Sequence, residues 1–69
     1  MKMMDIFLNG EMQKIDDGIN ITNLIKELDL ENKRLAVEVN LDIVPRSQFD
    51  SYVLSAGDKV EIVRAIGGG

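Results

Sequence analysis

Cysteine, histidine and tryptophan are all missing from this 69-residue chain. Without cysteine no disulfide can staple the fold. Nothing therefore points to secretion, and the reduced setting of the cytoplasm is the expected location. Together, the absences of cysteine and histidine exclude thiol nucleophiles, Cys/His zinc sites, Ser–His dyads and an imidazole general base. Carboxylates remain, but they are scattered. The expectation is a protein with no catalytic residues of its own and no metal site, which is to say not an enzyme. Long apolar runs are missing too. No uninterrupted stretch exceeds three residues, too short for a transmembrane helix or a signal-peptide core. No membrane association is expected.

Basic residues are in the minority, 8 Lys and Arg against 12 Asp and Glu, for a net charge of −4. The cations are dispersed along the sequence. Nucleic-acid binding needs them clustered to displace phosphate counterions, so that class is excluded. An acidic surface suits solubility and docking to a basic protein partner. At this length the chain forms one small domain, with little room for a deep catalytic cleft.

The chain opens with a hairpin pattern. Met4, Ile6 and Leu8 share one strand face, and Asp5, Phe7 and Asn9 the other. Asn9-Gly10 is the favoured signal for a two-residue type I′ turn, whose central residues both need positive φ. Glu11 to Ile15 is the return strand, with Met12, and Ile15 as a second candidate, buried. Asp16-Asp17-Gly18 ends it as a polar turn. Ile21, Leu24, Ile25 and Leu28 then follow the i, i+3, i+4, i+7 spacing of one amphipathic helix. Asn20 or Thr22 caps its start, and with Asn20 as cap, Ile19 and Leu24 take the staple positions. The stripe ends at Asn32-Lys33.

Leu35, Val37 and Val39 alternate with polar or small residues as a strand with one buried face. A turn through Leu41-Asp42 leads to a brief edge strand, Ile43-Val44, stopped by Pro45, which lacks the N–H a ladder needs. Arg46 to Leu54 reads as irregular or a single helical turn, with Phe49 and either Tyr52 or Val53 anchored in the core. After a turn at Ala56-Gly57-Asp58, the last strand runs from Lys59 to Ile66 with Val60 and Ile62 facing inward. The fold class is therefore α+β. A mixed sheet of four to five strands carries one main helix on one face, which is the order of the β-grasp (ubiquitin-like) fold. The domain covers residues 1–66, followed by a flexible glycine tail, 67–69.

That tail, Gly67-Gly68-Gly69, is the most distinctive local feature. Glycine has no Cβ, so such a segment threads narrow channels and ends in an unhindered carboxylate. These are the properties of a C-terminus that serves as another enzyme's substrate. The alternative is a loose terminus without chemistry.

Four segments in this order carry a resemblance: Ala36-Val37-Glu38-Val39-Asn40, Ile43-Val44-Pro45-Arg46-Ser47, Gly57-Asp58-Lys59-Val60-Glu61-Ile62-Val63 and Ala65-Ile66-Gly67-Gly68-Gly69. Over nearly its whole length the chain resembles the ThiS-type sulfur carriers, small ubiquitin-like proteins of thiamine biosynthesis. The resemblance implies that the Gly69 carboxylate is adenylated by an E1-like, ThiF-like activating adenylyltransferase. It is then converted to a thiocarboxylate with sulfur from a donor protein. The sulfur is delivered to thiazole formation at a ThiG-like thiazole synthase. ATP is used by the activating enzyme, and no cofactor is bound by the carrier. Gly67 and Gly68 would thread the partners' active sites. A free carboxylate is a poor electrophile, whereas an acyl-adenylate has a good leaving group, and a glycine terminus presents its carbonyl without side-chain clash. In this turn many relatives place glycine or a polar residue where Leu41 stands.

Phe7, Val63 and Ala65 are expected on the sheet face opposite the helix, on neighbouring first and last strands. There, with Arg64 and Ile66, they would form a partner-docking patch beside the tail. The alternative is ordinary surface apolarity. Arg64, and less favourably Arg46, would pair with partner carboxylates, or else be solvated charge. Asp16-Asp17 and Asp42 fall short of a calcium loop. Two further functions fit the same Gly-Gly end: a sulfur carrier like the small subunit of molybdopterin synthase, and a ubiquitin-like modifier joined through Gly69 to lysines. The free protein is expected to be a monomer.

Overall fold

The computed structural model describes residues 2–64. The domain boundary expected after Ile66, and the glycine tail, lie outside the described residues. The elements run β1 (Met3–Leu8), β2 (Glu11–Asp16), α1 (Ile21–Glu27), β3 (Leu35–Val39), β4 (Asp42–Val44), a 3₁₀ turn (Arg46–Gln48) and β5 (Lys59–Arg64). The sheet order is β2-β1-β5-β3-β4. β1 and β5 are parallel, and the other pairs are antiparallel. This is the β-grasp topology, with α1 on one face.

Both hairpins use two-residue turns with positive φ at each central residue. They are Asn9 (50°) and Gly10 (84°) in the first, and Asn40 (51°) and Leu41 (74°) in the second. The second turn is thus Asn40-Leu41, one residue earlier than the sequence suggests. It holds a leucine in the position that glycine favours.

The helix is shorter than its apolar stripe. Asn20 caps it by accepting from the Asn23 N–H at 2.7 Å, and Ile19 and Leu24 at the staple positions are both buried. It ends at Glu27, where the expected end was Asn32-Lys33. The reason is a Schellman closure. The Asp29 N–H donates to the Lys26 carbonyl and the Leu30 N–H to the Ile25 carbonyl, with Asp29 at φ 58°. Leu30 then packs against the core as the hydrophobic partner of that motif.

The core is formed by inward residues of all five strands and the helix, with Ile6, Ile21, Val37, Val39, Val60 and Leu24 among the fully buried side chains. Tyr52, not Val53, packs against it, and Phe49 and Leu54 are both buried. Met12 is 62% exposed, contrary to expectation. It is the register partner of Phe7, so period two places both on the outer face, and Ile15 is the buried residue of β2.

Candidate functional site

The strand that leads to Gly69 is β5, and its setting is built by its neighbours. It lies between β1 and β3, pairing from Val39–Val60 through Leu35–Arg64 on one side. On the other side β1 reaches only as far as Leu8, opposite Val60. Asn9 continues the pairing with its side chain. Its Nδ2 donates to the Ile62 carbonyl at 3.2 Å and its Oδ1 accepts the Ile62 N–H at 2.9 Å. One amide thus replaces the two backbone groups of a missing strand residue. Asn40 does similar work at the start of β5. Its Oδ1 accepts the Lys59 N–H at 3.0 Å, and its Nδ2 donates to Asp58 Oδ1 at 3.1 Å. The two hairpin asparagines therefore clamp the start and the middle of β5.

The outer face of β5 alternates as expected, with Lys59, Glu61 and Val63 exposed and Val60 and Ile62 buried. Phe7 is on this face and is 39% exposed, and Val63 is 56% exposed. The register, however, divides the expected docking patch. Phe7 is level with Lys59, so Val63 lies four residues further along, roughly 13 Å away at about 3.3 Å per residue. Glu61 stands between them. Phe7 has Met12 as its cross-strand neighbour, and Val63 has Ala36. Glu61 is directly opposite Glu38. Two small apolar areas thus flank an acidic pair, with the Val63–Ala36 area nearer the end of β5. Ala65, Ile66, Gly67, Gly68 and Gly69 lie outside the described residues.

Arg64 is exposed and opposite Leu35, at the end of the sheet where β3 begins. Arg46 follows β4 at the same end, with its Nη2 3.5 Å from the Lys33 carbonyl. The ion pair among the described residues is elsewhere, Lys14 to Asp5 at 3.1 Å. No group of three or more carboxylates is placed to hold a metal ion among the described residues. No described helix is long and apolar enough to cross a membrane. The asparagine clamps escaped the sequence reading. Their signal was an asparagine opening each hairpin turn, but which strand its side chain meets depends on sheet order.

The sequence profile of the ThiS family matches residues 6–69. A thiazole synthase of Paramagnetospirillum magneticum is 39% identical over 96% of this chain, and the chain spans only 20% of that protein. The sulfur carrier protein ThiS of Bacillus subtilis is 38% identical, with 90% of this chain and 96% of that protein covered. Among solved structures, the thiamine biosynthesis protein ThiS of Geobacter metallireducens superposes with a TM-score of 0.83 at 30% identity. The match covers 96% of this chain and 100% of that one.

Proposed function

The chain belongs to the ThiS family, and from this membership we infer that it is a sulfur carrier of thiamine biosynthesis, a protein consumed as co-substrate and not a catalyst. The observation that carries this reading is the reach of the match. It runs through Gly67, Gly68 and Gly69, and a named sulfur carrier aligns over nearly its whole length.

The chemistry belongs to the Gly69 carboxylate. One of its oxygens attacks the α-phosphorus of ATP on an E1-like adenylyltransferase, and pyrophosphate leaves. Hydrosulfide released by a donor protein attacks the acyl carbon, and AMP leaves with the oxygen. The product is a thiocarboxylate. Gly67 and Gly68 let the terminus enter a closed site while the folded body stays outside. Val63 with Ala36, on the outer face, is the apolar area best placed to dock the partner that holds the tail. A thiazole synthase is the proposed acceptor. Support comes from a relative of that name, a fifth of whose length resembles this chain.

Intact mass of the protein from cells, with no tag after Gly69, tests the reading. A species with one oxygen replaced by sulfur, mapped by fragmentation to Gly69, is expected. Its absence in cells, and again after incubation with the activating enzyme, ATP and a sulfur source, would remove the carrier reading. A Gly69–lysine isopeptide in its place would identify a protein modifier.

A further inference from the structure

Cations collect at one end of a molecule whose net charge is −4. Arg64 closes β5, Lys33 and Arg34 precede β3, Arg46 follows β4, and Lys26 is in the last turn of α1. Among the described residues none of them is in an ion pair. Three of the five line a groove of about 260 Å³ between α1, the start of β3 and the 3₁₀ turn. Ile25 and Phe49, both buried, and the half-buried Leu35 form its apolar floor, while Lys26, Lys33 and Arg46 supply charge. Glu31 and Asp50 are also on its lining. Three cations against two carboxylates leave the lining with a small positive balance.

We propose that this groove docks an acidic chain segment bearing one apolar side chain, contributed by the enzyme that activates Gly69. The proposal rests on the carrier reading above. Its position supports that occupant. Leu35 lines the groove and is the register partner of Arg64, so the groove lies one strand spacing, about 4.8 Å, from the strand that leads to Gly69. Gly69 is only five residues beyond Arg64, so a partner that holds the tail can also reach the groove. Exposed cations in water contribute little. Over a floor that takes an apolar anchor they are partly desolvated, and they then fix register and speed encounter. The groove is on the helix side of the sheet, so it forms a second contact, separate from the Val63–Ala36 area on the outer face.

The test compares Lys33→Glu/Arg46→Glu with Lys2→Glu/Lys14→Glu, which changes net charge equally but away from the groove. Affinity of each full-length carrier for its activating enzyme is measured calorimetrically at low and high salt. Pyrophosphate release is followed against carrier and ATP concentration. The groove variant is expected to bind about tenfold more weakly at low salt, with the difference shrinking as salt screens it. The turnover rate at saturating carrier should match wild type. Lys33→Gln/Arg46→Gln should fall between, and it decides the matter if the reversed variant does not fold. Equal affinities of groove and control variants would overturn the proposal. So would an effect confined to the KM for ATP, which would assign the cations to nucleotide phosphates. A wild-type carrier that binds without being activated would overturn the carrier reading alone, and the affinity comparison would still judge the groove.

Discussion

Asn9 performs three tasks in one residue. It takes the left-handed backbone of the turn at φ 50°, its N–H donates to the Val60 carbonyl, and its side chain satisfies both backbone groups of Ile62. Replacing it by alanine leaves two partly buried backbone groups unpaired and forces a Cβ residue without a local hydrogen bond into positive φ. Asn9→Ala should lower stability by about 1–3 kcal/mol in urea unfolding. Asn9→Asp, which keeps only the acceptor, should fall between; an alanine variant as stable as wild type would remove the clamp argument. Leu41 is the opposite case. At φ 74° and 82% exposed, it bears backbone strain and buries almost nothing. Leu41→Gly restores the Asn-Gly turn and should raise stability by roughly 0.5–1 kcal/mol in thermal unfolding. A loss would mean that the leucine packs against something in solution.

At the scale of elements, the order of strands decides what β5 presents. Because β5 is central, it pairs with β3 from Val60 to Arg64 and with β1 over its first residues, and its outer face is free. The register separates Phe7 from Val63, so the two should behave differently. Val63→Asp should weaken binding to the activating enzyme by about tenfold or more, as loss of an apolar contact near the interface centre does. Phe7→Asp, further from the end of β5, should have the smaller effect, read by the same titration. Equal losses would show that the partner covers the whole outer face. The helix also carries a lesson at this scale. Its stripe predicts a helix to Asn32-Lys33, but Asp29 adopts a conformation usually left to glycine and closes the last turn early. A stop signal without glycine is weak in sequence, because aspartate reaches that conformation only when neighbouring packing, here Leu30 on the core, stabilises it.

For the molecule as a whole, stability and chemistry are located in different parts of the chain. The buried core is closed by residues between Met4 and Ile62, and the carboxylate proposed to react is seven residues beyond Ile62, at Gly69. Gly68→Val should therefore abolish adenylation, measured as pyrophosphate release, while leaving the melting temperature unchanged. Activation that survives this substitution would end the narrow-channel argument, and a lowered melting temperature would show that the tail packs on the domain. The charge distribution belongs to this scale too. The cations are dispersed in sequence, yet five of them meet at one end because β3 begins where β4 and β5 finish.

What the sequence alone determined is what depends on short-range periodicity and local conformational preference. Alternation at Met4–Ile6 and Val37–Val39, the helical stripe at Ile21–Leu24–Ile25 and the Asn9-Gly10 turn all declare themselves within a few residues. So does the glycine end, whose proposed chemistry needs only freedom from side chains. The tertiary structure alone decided which distant residues are neighbours. It sent Met12 outward, set Asn9 against Ile62, buried Leu54, divided Phe7 from Val63, and drew Lys33, Arg46 and Arg64 together. The physical reason is that a strand's face follows from its own alternation, while its register and its neighbours follow from how all the strands pair at once.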